Sequence, residues 1–246
     1  MHLSNIQFRH VFLDEKDKEI YENKVANITG DKLKEWMEVG EIYGVHFKKF
    51  RSLRISSRDI FRIVNDGEAD FQHFLNRRFR PIKSYNFKPL RDGEKLEKPA
   101  INLYEALTML KTVKIKHLVN PNFPWIIAAP DTMVTCGDII YKGVEIKSTY
   151  QPSTTDHKYL CSSAVYKKNG EYVINTKSET YCQIQMCMAV SNLRKWDLVI
   201  YFSDKKIQVI PVTYDEKHIR FYIALACEKY FTRYLPRLRQ VLQSNT

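Results

Sequence analysis

Pro124-Trp125-Ile126-Ile127-Ala128-Ala129-Pro130-Asp131, followed about a dozen positions later by Val144-Glu145-Ile146-Lys147, is the stretch on which the reading of this chain turns. The first run is apolar almost throughout and ends in an acid, as a buried strand does when it delivers one charged group at its tip. The second alternates apolar and charged residues. Successive side chains of a strand point to opposite faces. Val144 and Ile146 are therefore expected to face a core, while Glu145 and Lys147 project together from the other side. Cys136-Gly137-Asp138 reads as a turn between the two runs. A hairpin centred near Gly137 sets Asp131 opposite Gly143, one diagonal step from Glu145. Two converging carboxylates make a hard-oxygen site for a divalent cation, and a lysine beside them supplies what phosphodiester hydrolysis further needs. A Glu-x-Lys pair is also common as a solvated ion pair, so the motif gains weight only from its surroundings.

The surroundings fit. The chain has 246 residues, 44% of them apolar, enough for one large domain or for one domain with an N-terminal extension. It carries 39 Lys and Arg against 28 Asp and Glu, a net charge of +11. Such an excess favours a polyanionic partner through phosphate neutralisation and counterion release. No apolar run approaches the roughly 20 residues that span a bilayer, and the N-terminus lacks a signal-peptide core. The five cysteines are odd in number and scattered, with no CxxC pair. They read as reduced thiols of an intracellular protein, cytoplasmic or in a host nucleus, rather than as a disulfide frame or a zinc site. The seven histidines show no metal-ligand spacing, and with eight glycines the chain has no phosphate-cradling loop.

Periodicity predicts helices over Asp31–Glu38, Tyr43–Leu53 and Ser57–Val64, the last capped by Ser56 or Ser57, with Asp66–Phe79 continuing as helix. Pro81–Pro99 reads as a polar loop and Leu103–Thr112 as helix. Trp125–Thr149 forms the β-rich centre, and 150–177 reads as irregular with one hairpin at Asn169-Gly170. Thr176-x-x-Glu179 has the spacing of a capping box opening a helix over Ser178–Asn192. Trp196–Phe202 and Ile207–Val212 are expected as strands, and Asp215–Leu242 as a long amphipathic helix broken near Pro236. Arg51 and Arg54 lie three apart on one helical face before a capped helix start, which suits a terminal phosphate held by guanidinium forks and helix-end N–H groups. A solvated basic face gives the same spacing.

Four blocks in order resemble one family, the YqaJ-like viral recombinases and lambda-exonuclease-like alkaline exonucleases of the PD-(D/E)XK nuclease superfamily. The first is Pro124-Trp125-x-x-Ala128-Ala129-Pro130-Asp131 with Val144-Glu145-Ile146-Lys147. The others are Tyr181-Cys182-Gln183-Ile184-Gln185-Met186, Trp196-Asp197-Leu198-Val199-Ile200-Tyr201, and Phe47-x-x-x-Arg51-x-x-Arg54-Ile55-Ser56-Ser57. The resemblance covers about residues 44–243. It departs from the family pattern where Thr132 replaces a glycine, Ala129 a serine, and Ser148-Thr149 a cysteine–proline pair. Arg58 stands where the family tends to have a serine, so that Ser56 or Ser57 would have to supply a phosphate-binding hydroxyl.

The resemblance implies an α/β fold with a restriction-endonuclease-like core, a central mixed β-sheet flanked by helices, and a helical N-terminal part. Residues 1–43 would be an extension and 44–246 the nuclease domain. It implies a metal-dependent deoxyribonuclease, a 5′→3′ exonuclease on double-stranded DNA serving recombination or the genome processing of a virus or mobile element. Asp131, Glu145 and the Ile146 carbonyl would hold Mg2+, with Mn2+ as a substitute, and Glu105 would face the metal from a helix. Lys147 would position or deprotonate the attacking water. Gln183 would orient water or phosphate; Gln185, about 200° around the helix, cannot share that role. Arg51, Arg54, Ser56 and Ser57 would form a 5′-phosphate pocket. A single-strand annealing or single-strand-binding protein is a further partner in such systems, and the oligomeric state is left open, a ring included. An endonuclease or RNase on the same scaffold, and a catalytically inactive nucleic-acid-binding module, are the competing readings.

Overall fold

Strand-forming and helix-forming runs alternate along the chain, and the computed structural model places them as two layers of helix around a mixed sheet. It describes residues 12, 14–26, 50–79, 88–115, 117–148, 164–202 and 206–244, with the backbone alone for 88–95. The central sheet has the order β10-β9-β6-β5-β2, where β2 is Lys111–Val113, β5 Thr132–Cys136, β6 Ile139–Ser148, β9 Lys195–Phe202 and β10 Lys206–Thr213. β6 and β9 run parallel; the other pairs are antiparallel. Trp196 to Tyr201 is buried residue after residue, because this inner strand is covered on both faces. β1 (Ile55–Ser56), β4 (Phe123–Ala128) and β3 (Leu118–Asn120) form a second sheet, in which Ile55 and Ser56 run parallel to Ile126 and Ile127. β7 (Val165–Lys168) and β8 (Glu171–Ile174) form a separate hairpin about the expected Asn169-Gly170 turn.

The helices described are α1 (Glu15–Ile20), α2 (Ile60–Asn65), α3 (Glu68–Arg78), α4 (Lys88–Thr108), α5 (Glu179–Ser191), α6 (Glu216–Lys229) and α7 (Leu235–Ser244). α4 covers one face of the central sheet, where Tyr104, Val134, Val144 and Val199 make a small core of their own. α5 lies on the other face, inside the main core. It is buried from Tyr181 to Val190 and ends at Asn192, whose φ of 58° is the left-handed cap. Gly143 of β6 meets the Trp196 ring so closely that a Cβ would sit 2.2 Å from it, so glycine lets the indole pass over the strand. Among the described residues no helix is long and apolar enough to cross a membrane.

Several local expectations are corrected. Residues 88–99, read as loop, belong to α4, with Pro99 inside it. Burial of Ala100 and Tyr104 on one helical face outweighs the breaking tendency of the proline. The helix expected to run to Thr112 stops at Thr108, because Met109 takes a left-handed φ of 58° and Lys111–Val113 joins the sheet edge. The cap of α5 is Ser178, whose hydroxyl accepts from the Tyr181 N–H at 3.0 Å, and not Thr176. α2 begins at Ile60, since Ile55 and Ser56 pair with β4. Tyr230–Tyr234, a widened π-type turn, interrupts the last helix ahead of Pro236, burying Tyr230, Phe231 and Tyr234 together. The helix expected over Asp31–Glu38 and most of that over Tyr43–Leu53 lie outside the described residues.

Candidate active site

Asp131 stands where β4, buried along its whole length, has ended and β5 begins. The turn Gly137-Asp138 pairs Cys136 with Ile139 and Thr135 with Ile140; the ladder then skips Tyr141 and resumes as Val134 with Lys142. A regular ladder from that turn would bring Val144 level with Asp131. The bulge advances β6 by one residue, so Thr132 pairs with Val144 and Asp131 comes level with Glu145, two residues beyond the Gly143 expected from sequence. The Ile146 N–H donates to Asp131 Oδ2 at 2.6 Å. N–H and C=O of one strand residue point to the same edge, so the Ile146 carbonyl also faces this opening.

Glu145 has 0% exposure. Its Oε1 accepts from Lys147 Nζ at 2.6 Å and from Gln183 Nε2 at 2.8 Å, and Lys147 Nζ also donates to Gln183 Oε1 at 3.3 Å. The three side chains form a closed triangle. Glu145 Oε2 is buried and has no hydrogen-bond partner among the described residues. Burial, and next the Glu145 charge, push the Asp131 carboxyl up to about 8; the Ile146 N–H and the Lys147 charge oppose this, and Glu97 adds to it. Two acids with one lysine between them and one undonated oxygen form a donor set that a divalent cation would fit.

α5 brings Gln183 to this face because its Ser178 cap fixes the first turn. Cys187, one turn on, lies beneath the pair. Burial, then the Glu145 charge, push its thiol up to about 12, and its sulfur contacts Ser57 Oγ at 3.5 Å. Gln185 turns away, donating to the Thr213 carbonyl at 2.8 Å and accepting from the Asp215 N–H at 2.9 Å. It is a satisfied core amide.

Glu105 is not brought to the pair. Its Oε1 accepts from Thr112 N–H at 2.6 Å and Thr112 Oγ1 at 2.9 Å, tying the end of α4 to β2. Two turns earlier on α4, Glu97 is the helix acid whose charge reaches Asp131, and its Oε1 accepts from Lys114 Nζ at 2.7 Å. The proline in Glu97-Lys98-Pro99-Ala100 made that segment read as loop. Among the described residues no group of three His, Cys, Asp or Glu side chains converges closely enough for a complete cation site by themselves.

The expected arginine pair is split. Arg54 has 0% exposure; it donates to the Phe50 and Val25 carbonyls, each at 3.0 Å, and lies over the Phe50 ring. It serves the core and cannot reach a phosphate. Arg51 is exposed. Desolvation and then the Arg78 charge hold its pKa below the ordinary value, with Asp59 opposing and Arg58 adding, so three guanidiniums crowd one another here. Arg78 is committed to the Arg51 and Arg54 carbonyls at 2.8 and 2.9 Å. Ser56 Oγ accepts from the Arg58 N–H at 3.4 Å, whereas Ser57 is buried against Cys187 and its N–H donates to the Ile127 carbonyl at 2.9 Å.

Residues 46–194 match the model of the YqaJ-like viral recombinase domain. No curated protein matches the chain. The fold is similar to an alkaline exonuclease from Laribacter hongkongensis, with a TM-score of 0.59, 14% identity, and coverage of 82% of this chain and 100% of that one. A structure of the same enzyme in complex with dAMP gives 0.57, 14%, 81% and 98%. A phage-related exonuclease from Haemophilus somnus 129PT gives 0.50, 15%, 80% and 99%. At these identities the likeness is one of fold.

Proposed function

Because the chain belongs to the YqaJ-like viral recombinase family, we propose that it is a divalent-cation-dependent deoxyribonuclease, digesting double-stranded DNA from its 5′ ends. The observation that carries this is Glu145 Oε2, a buried carboxylate oxygen without a donor among the described residues, beside a second, half-buried acid. Such an atom is costly unless something positive takes its place.

Asp131, Glu145 and the Ile146 carbonyl would hold Mg2+ or Mn2+, with the charge of Glu97, felt at Asp131, adding to the negative field around them. When bound, the cation polarises a phosphoryl oxygen and lowers the pKa of a water. Lys147 is fixed by Glu145 and Gln183, so its ammonium stays at the rim, where it offsets charge on a phosphate and holds a nucleophilic water. Gln183 keeps Glu145 Oε1 occupied and thereby turns Oε2 toward the cation. Thr132 and Val144, paired behind the acids, keep water away from that side of the sheet.

The net charge of +11 supports a polyanionic substrate, and the Arg51–Arg58–Arg78 cluster supports capture of a terminal phosphate. The similar exonuclease solved with dAMP supports release of mononucleotides. Membership of the family supports action in recombination, with a single-strand annealing or single-strand-binding protein as the proposed partner. An endonuclease or RNase would keep the same centre; an inactive binding module would have no need of the undonated Glu145 oxygen. The deciding experiment is digestion of end-labelled linear duplex, with a 5′ phosphate or a 5′ hydroxyl, beside a closed circle, in Mg2+ and in chelator. Cleavage of the closed circle, or cleavage in chelator, would refute the reading.

A further inference from the structure

Lys114 is a second lysine paired with an acid, Glu97, and is held quite differently from Lys147. Lys147 is 27% exposed and its ammonium has two partners. Lys114 is 63% exposed and reaches inward to Glu97, which is 20% exposed, at 2.7 Å. An ion pair whose amine half stays in water is weak and exchanges readily. Its position is nonetheless fixed by the backbone. Among the described residues, Lys114 follows β2, one of the two edge strands of the central sheet. Val113, the last residue of β2, pairs with Met133, and its carbonyl accepts from Thr132 Oγ1 at 3.1 Å. Thr132 is the neighbour of Asp131. One side-chain hydrogen bond thus ties the end of the edge strand to the strand that follows Asp131, and sets Lys114 against Glu97, the helix acid whose charge is felt at Asp131.

We propose that Lys114 is a displaceable counter-ion for Glu97, held in place by Thr132, which lowers the affinity of the acidic centre for divalent cations. The proposal rests on the reading of Asp131 and Glu145 as a cation site. With no cation present, the ammonium neutralises Glu97; a divalent cation must displace it before Glu97 can contribute. Lys114 is here a positioning residue, acting through Glu97.

The test is calorimetric titration of the DNA-free protein with Mn2+. Lys114→Gln should bind Mn2+ about two- to fivefold more tightly, the range that loss of an exposed ion pair allows. Lys114→Arg should restore the original affinity. In a Glu97→Gln background, Lys114→Gln should have no effect. Thr132→Val, which keeps the side-chain shape and loses the bond to Val113, should tighten binding in the same direction; an unchanged affinity would remove Thr132 from the proposal. Unchanged or weaker binding in Lys114→Gln overturns it, as does equal tightening with Glu97 absent, which would mean a general field effect. If the intact protein binds no Mn2+, or binds it as well without Asp131 and Glu145 as with them, the cation-site reading fails and takes this proposal with it.

Discussion

The Ile146 N–H holds Asp131 Oδ2 at 2.6 Å, so the strand that carries Glu145 and Lys147 also grips the opposing acid by its main chain. The spacing of the two carboxylates is therefore set by backbone geometry, and a side-chain substitution at either acid should remove charge without moving the other.

Glu145→Gln should reduce cleavage in Mg2+ by more than about a hundredfold, beyond what loss of a supporting partner alone produces, while DNA binding is kept. In chelator the stability of the variant relative to the parent should rise above about pH 8, where Asp131 ionises beside a carboxylate in the parent and beside a neutral amide in the variant. Mg2+ should then no longer raise its melting temperature. Near-normal turnover would dismiss Glu145 from the centre.

Stability should also report the Asp131 proton. Its folded pKa of about 8 lies above the unfolded value of about 3.9. Below about pH 4 both states are protonated and the contribution is fully present. As pH rises from about 4 to 8 the unfolded state gives up the proton and the folded state keeps it, so stability falls, by at most about 1.4 kcal/mol per pH unit. Melting curves in chelator across this window should slope less in Asp131→Asn. Parallel slopes in the two proteins would show that Asp131 is ionised throughout.

Glu97 and Glu105 separate by different readouts. Glu97→Gln should weaken Mn2+ binding and slow cleavage, with little change in melting temperature in chelator. Glu105→Ala should leave Mn2+ binding alone and cost about 1–2 kcal/mol of stability, because the Thr112 N–H and hydroxyl lose their acceptor. The opposite pattern, seen by titration and denaturant melts, would restore Glu105 as the helix acid of the site.

Arg54→Ala should destabilise by about 3–5 kcal/mol, as truncation of a buried, hydrogen-bonded charge does. Arg51→Ala should leave stability unchanged and slow digestion of 5′-phosphorylated ends by roughly ten- to a hundredfold, the loss of one charge-assisted contact. Ends with a 5′ hydroxyl should change little. Equal losses on both kinds of end would assign Arg51 to general electrostatic attraction.

Alternation around Glu145 and Lys147, the buried run ending at Asp131, and the helical rotation that separates Gln183 from Gln185 were all legible in the sequence. Each depends on a local period that the backbone imposes wherever the element forms. The mixed sheet with helices on both faces was legible for the same reason. Three features were decided only by the tertiary structure. The bulge at Tyr141 sets which residue of β6 faces Asp131, and ladder register depends on the partner strand as much as on the strand itself. Arg51 and Arg54 share a spacing, yet one reaches water and the other the Val25 carbonyl, because a segment far away in sequence covers only one of them. The Glu97 charge is felt at Asp131 because burial of Ala100 and Tyr104 carries the helix through Pro99. Spacing fixes which side chains can share a face; packing between distant segments fixes what that face meets.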